Sequence, residues 1–124
     1  MGDSANAIAV DASGNSYIAG VTRSSNFPAV NALETSLNNP YGDAFVSKLD
    51  PTGQTLIYST YLGGSGNAQQ EVSDGDFATA ITLDNNSNVY VTGETESPDF
   101  PTARAYKGSL TGTRNAFIAE LSFS

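Results

Sequence analysis

An all-β chain built from two copies of one strand-and-turn unit is what three features of the sequence predict. The chain repeats internally, its composition is rich in turn formers, and its apolar residues fall in short runs bounded by Gly, Asn, Asp and Pro. Of its 124 residues, 39% are hydrophobic, and six Tyr and six Phe supply large side chains for a core. Runs of Leu, Glu, Lys and Ala at helical spacing are scarce. The length suits one domain and is short for two ordinary ones.

The repeat carries most of this reading. At an offset of 73, Ala5-Asn-Ala-Ile-Ala-Val-Asp-Ala-Ser-Gly-Asn-Ser-Tyr-Ile-Ala-Gly20 meets Ala78-Thr-Ala-Ile-Thr-Leu-Asp-Asn-Asn-Ser-Asn-Val-Tyr-Val-Thr-Gly93. Ala7/Ala80, Ile8/Ile81, Asp11/Asp84, Asn15/Asn88, Tyr17/Tyr90 and Gly20/Gly93 are identical, and the match runs on to Phe27-Pro28/Phe100-Pro101. At an offset of 72, Ala44-Phe-Val-Ser-Lys-Leu49 meets Ala116-Phe-Ile-Ala-Glu-Leu121. A repeat longer than about 50 residues with strand-like content points to a propeller or a related β array.

Each element follows in order. Ala7–Val10 alternates small with branched residues and predicts a strand packed on both faces. Asp11-Ala-Ser-Gly-Asn15 reads as a tight turn, because Asp can bond the following amides while Gly and Asn tolerate positive φ. Tyr17-Ile-Ala is the second strand, and Gly20 beside it allows a close backbone approach. A third strand lies near Ala44–Leu49, and Asp50-Pro-Thr-Gly53 closes a hairpin onto Thr55–Leu62. Four strands in meander order make one propeller blade.

The second copy repeats only the first three strands, so the expectation is four strands plus three. The divisions are residues 1–64 for the first repeat, 65–76 for an acidic Gly/Ser-rich link, and 77–124 for the second repeat without its last hairpin and fourth strand. The long connection Ser24–Asp43 contains Asn31-Ala-Leu-Glu-Thr-Ser-Leu37, which would suit a single helical turn.

Charge and composition exclude several functions. Five basic against thirteen acidic residues give a net charge of −8, which repels phosphate backbones and argues against nucleic acid. There is no Cys, hence no disulfide and no thiolate metal site. No apolar run approaches the roughly 18 residues of a membrane span, so no membrane insertion is expected. The first residues show no basic segment followed by an apolar one, and no signal peptide is expected within this chain.

The motifs Ile8-Ala-Val-Asp-Ala-Ser-Gly-Asn-Ser-Tyr-Ile-Ala-Gly20, Asn26-Phe-Pro28, Asp43-Ala-Phe-Val-Ser-Lys-Leu-Asp-Pro-Thr-Gly53 and Tyr58-Ser-Thr-Tyr-Leu-Gly-Gly64 together resemble the SBBP-type β-propeller repeat of bacterial and archaeal proteins. The resemblance covers nearly the whole chain. It implies serial blades in an exported, extracellular or cell-surface protein, and it brings no catalytic signature. The link Gly64–Asp76 departs from it in being longer and more acidic.

With no His and no Cys, the usual general base and the best nucleophile are missing, so an enzyme is not expected. Asp11 and Asp84 would tempt a paired-carboxylate reading, yet recurrence once per repeat suits a turn cap better than an active site. No cofactor is expected. A Ca²⁺ ion is the one candidate, held by Glu71, Asp74 and Asp76 with the Ser73 hydroxyl, against the alternative of a mobile acidic linker.

Candidate ligand-binding residues in or beside the long loops are Tyr41, Tyr106, Asn38, Asn39, Arg104 and Asn115. They would suit a glycan held between blades. Tyr17 and Tyr90 are expected in the core, and Phe27-Pro28 and Phe100-Pro101 are expected to pin the long loops. Two stacked blades leave two faces uncovered, and the edge Phe117, Ile118, Ala119, Glu120, Leu121 lacks a fourth strand. The expected partners are copies of the chain in a ring or filament, or neighbouring blades of a longer chain. The functional expectation is a structural or protein-interaction module, with a carbohydrate-binding propeller as the alternative.

Overall fold

The computed structural model describes residues 2–67, 74–101 and 112–122. Among the described residues there are seven strands: β1 Ser4–Val10, β2 Ser16–Thr22, β3 Asp43–Leu49, β4 Leu56–Leu62, β5 Phe77–Leu83, β6 Val89–Thr95 and β7 Asn115–Leu121. They form a four-stranded sheet in the order β1-β2-β3-β4 and a three-stranded sheet in the order β5-β6-β7, all antiparallel. These are two blades of a β-propeller-type fold, four strands plus three, as the repeat predicts.

Turn chemistry fixes each hairpin. Asp11 Oδ1 accepts the amides of Ser13 and Asn15, and its Oδ2 accepts Asn15 Nδ2 and the Tyr17 hydroxyl, all at 2.9 Å. Asp84 does the same for Asn86, Asn88 and Tyr90. The hydrogen bonds, that from the Asn15 side chain foremost, hold the Asp11 carboxyl down at about 2. These two aspartates are turn caps, each occupied within its own repeat.

The first three strands begin one to three residues earlier than the sequence pattern marks, whereas β4 begins at Leu56, one residue later than expected. β1 starts at Ser4, and a bulge between Ala5 and Ala7 lets it curl around β2. Gly20 sits opposite that bulge, where a side chain would run into the Ser4 carbonyl; Gly93 stands in the same relation to Phe77. The close approach expected at Gly20 is therefore a feature of both blades.

The expected helical turn at Asn31–Leu37 is not formed. That segment instead follows β4 as an irregular, bent chain with a positive φ at Asn31: Val30 and Ser59 exchange both backbone hydrogen bonds, Glu34 accepts the Tyr61 amide, and the Thr60 hydroxyl accepts the amides of Leu33 and Glu34. An exposed strand edge offers a row of unpaired backbone groups, and pairing with it gives this segment more than one isolated helical turn would. Phe27 packs on Phe45 (4.6 Å between ring centres) and Phe100 on Phe117 (4.5 Å), so both Phe-Pro pairs pin their loops as expected.

The core lies between the sheets. Strand alternation puts Tyr17, Ala19, Ala44, Val46, Tyr58 and Leu62 on one face of blade 1, where they meet Ala78, Val89, Val91, Phe117 and Leu121 of blade 2. We call that face of blade 1 its back and the contacting face of blade 2 its front. Asn6 Nδ2 donates to the Ala78 carbonyl and ties β1 to β5.

Candidate functional site

A cluster of buried polar side chains lies at the junction between the blades. It is organised by Asp76, which precedes β5 and is fully buried. Its Oδ1 accepts the Thr95 hydroxyl at 2.7 Å and the Glu96 amide at 3.0 Å. Its Oδ2 accepts the Ser97 hydroxyl at 2.7 Å and, across the junction, the Gly64 amide at 2.9 Å. Asp3 builds the same clasp in blade 1, accepting Thr22 Oγ1, the Arg23 amide and Ser24 Oγ. Hydrogen bonding, that of Thr22 foremost, holds the Asp3 carboxyl below its usual range. The clasp was legible, since Gly2-Asp3 with Thr22-x-Ser24 matches Gly75-Asp76 with Thr95-x-Ser97 at the same offset. A repeat started at Ala5 misses it.

Further carboxyls gather around Asp76. Asp43 and Glu96 are fully buried and Glu34 is half-buried. Asp43 Oδ2 accepts the Asn38 amide at 2.7 Å, whereas its Oδ1 is buried without a hydrogen-bond partner among the described residues. A side chain on Gly63 would collide with both Asp43 and Asp76. Burial pushes the Asp43 carboxyl up to about 7, and the Asp76 and Glu34 charges add to the shift. Burial also raises Glu34 to about 7, with Asp76 and Asp99 adding. No Lys or Arg among the described residues pairs with either group, so near neutrality a proton is what relieves the crowding.

The predicted site residues are dispersed. Asn39 is fully buried, donating to Glu96 Oε1 at 3.1 Å and accepting the Tyr41 amide at 3.0 Å, so it braces the junction. Asn38 is exposed and donates to Glu34 Oε1, and Tyr41 is half exposed. Asn115 opens β7 at the position that Asp43 holds in β3. Tyr106 and Arg104 lie outside the described residues, as do Glu71 and Ser73. Asp74 is at the surface, paired with Arg114 at 3.1 Å, while both oxygens of Asp76 are engaged by hydrogen bonds. Asp74 and Asp76 thus serve separate contacts, and among the described residues no group of three or more acidic side chains is arranged to hold a metal ion.

A second feature of the junction is a polar cavity of about 190 Å³ lined by Tyr17, Lys48, Tyr58, Asn86, Ser87, Asn88 and Ser122. The Lys48 ammonium lies 5.0 Å from the centre of the Tyr17 ring. Tyr17, expected in the core, is almost fully buried, and Tyr90 is half-buried on the open face of blade 2. The difference is one of position: Tyr17 faces the junction and Tyr90 does not. At the far side of blade 2, β7 pairs with β6 alone among the described residues, leaving the Phe117–Leu121 edge open.

A family model described as the SBBP β-propeller repeat matches residues 2–28 and 57–101, together more than half of the chain. The second match begins in β4 and crosses into β5 and β6, so the sequence unit spans the junction that Asp76 locks. No curated protein sequence matches the chain.

Proposed function

The chain belongs to the SBBP family of β-propeller repeats, and on that premise we propose that it is a non-catalytic structural and protein-interaction module of an exported microbial protein. It assembles through blade stacking and edge-strand pairing. The observation that supports this most is the junction itself. Among the described residues the buried apolar cluster lies between the blades, so contact with a neighbouring blade is what completes a blade's core. Export rests on the setting in which such repeats usually occur. Light scattering on a size-exclusion column tests the reading. Assembled species larger than one chain are expected, and a monomer at every concentration would count against self-assembly.

A second reading, a carbohydrate-binding propeller, is favoured by the polar cavity between the blades. Lys48, Asn86, Asn88 and two serine hydroxyls are the donor and acceptor set that a sugar requires, beside aromatic rings. Calorimetry with simple neutral and acidic sugars at millimolar concentration separates the readings. Saturable heat that disappears in Lys48→Met would support the second, and silence from every sugar would leave the structural module.

A further inference from the structure

We infer that a second copy of the chain docks head to tail, the open front face of blade 1 receiving the open back face of blade 2. This rests on the self-assembly reading above and specifies its geometry. The repeat itself supplies the template, because each open face is the counterpart of a covered one.

On the front of blade 1, Ile8 and Val10 are 64% and 60% exposed. They extend an apolar groove of about 270 Å³ lined by Ile18, Phe45, Leu49, Leu56 and Pro28 among others. Their counterparts in blade 2, Ile81, Leu83, Val91, Phe117 and Leu121, all pack into the junction core. On the back of blade 2, Ile118 is 81% exposed, whereas its counterpart Val46 is fully buried against blade 2. The two open faces therefore carry counterparts of the faces that already fit together within one chain, except that among the described residues the three-stranded blade 2 has no counterpart of Tyr58 and Leu62 in β4. Continuing the same step from copy to copy gives a heterologous contact, which leads to a ring or a filament and not to a two-fold pair.

The match is imperfect in a way that makes a signature. Blade 2 presents Thr82 and Thr92 where blade 1 has Ala9 and Ala19, and Glu120 where blade 1 has Lys48. Within the chain Lys48 shares its cavity with Asn86, Ser87, Asn88 and Ser122. The counterparts of those four in blade 1 are Ser13, Gly14, Asn15 and Asp50. Hydrogen bonds, that of the Thr52 hydroxyl foremost, keep the Asp50 carboxyl below its usual range, so it is ionised at neutral pH. Between copies Glu120 thus approaches Asp50, and like charges weaken the contact until salt screens them.

Sedimentation velocity on the full chain tests this with Ile8→Glu, Ile118→Glu and Glu120→Lys, all at exposed positions where the fold is retained, as circular dichroism would verify. Each of the first two substitutions should weaken association at least tenfold, because a charge replaces a buried contact. A one-to-one mixture of Ile8→Glu and Ile118→Glu should form a discrete dimer, since each variant keeps the face that the other lacks. Glu120→Lys should associate at least tenfold more tightly and lose affinity as salt rises, whereas the unaltered chain gains it.

If Ile118→Glu still dimerises alone while Ile8→Glu does not, the contact is front to front and the head-to-tail inference is overturned. If association survives both substitutions, edge pairing carries it, so the self-assembly reading stands and this inference fails. A chain that stays monomeric at every concentration and salt sinks the self-assembly reading itself.

Discussion

Ile8 and Ile81 are the same residue at the same position of the repeat, yet Ile8 is nearly two-thirds exposed and Ile81 packs against the core. The same split divides Asp3 from Asp76. Both clasp the Thr that ends the second strand of the blade and the Ser two residues beyond it, but only Asp76 is buried and only it reaches across to Gly64. A repeated sequence gives each blade its local hydrogen bonds. Which face becomes core is decided by whether a neighbouring blade is present.

The largest test of this contrast is to remove each clasp in turn. Asp76→Ala strands the Gly64 and Glu96 amides and two hydroxyls in a buried site, and unfolding in urea should show a loss of about 3 kcal/mol or more. Asp3→Ala exposes its former donors to water and should cost about 1 kcal/mol. Equal losses would mean that the junction adds nothing to the clasp.

The pH dependence of stability sharpens the comparison at Asp43, whose counterpart in blade 2 is Asn115. Because burial raises the folded-state values of Asp43 and Glu34 to about 7, the folded chain holds protons there that the unfolded chain has released. Their contribution is fully present below about pH 4, where the unfolded groups titrate, and is lost as pH rises through 7. For Asp43 the loss is on the order of 2–4 kcal/mol. Asp43→Asn, which installs the blade 2 residue, should flatten that decline in melting curves taken from pH 5 to 8. If the variant's stability still falls by the same amount, the buried cluster is not its origin. At the acid end Asp3, Asp11, Asp50, Asp84 and Asp99 act oppositely. Their values are lowered, so their contribution is present above about pH 4 and is lost as pH falls further.

The smallest effect concerns the first turn of each blade. Gly14 and its counterpart Ser87 both have positive φ, 89° and 61°. Left-handed backbone costs a residue with a Cβ about 1 kcal/mol, so Ser87→Gly should stabilise and Gly14→Ser should destabilise by about that much. Thermal melts of both variants check it, and shifts of the same sign would refute the equivalence of the turns.

Much of this was legible before the structure. The Asp11 and Asp84 turns, the Phe-Pro pins, the close approach at Gly20 and the four-plus-three strand count all follow from interactions between residues near in sequence or repeated at fixed spacing. The segment Asn31–Leu37 was misread because its local pattern suits a helical turn, whereas the hydrogen bonds it makes belong to β4, more than twenty residues away. Asn39 resembled a loop ligand for the same reason, since its partner Glu96 lies in the other blade.

By itself, then, the sequence determined the blades: strands, turns, caps and the identity of the two faces, because period-2 alternation and turn chemistry act over a few residues. Only the tertiary structure decided which copy of each face is buried, that Asp43 and Asp76 crowd one glycine, and that Lys48 meets the turn of the next blade. Those depend on desolvation and charge between segments brought together by stacking, and two nearly identical repeats acquire different chemistry from it.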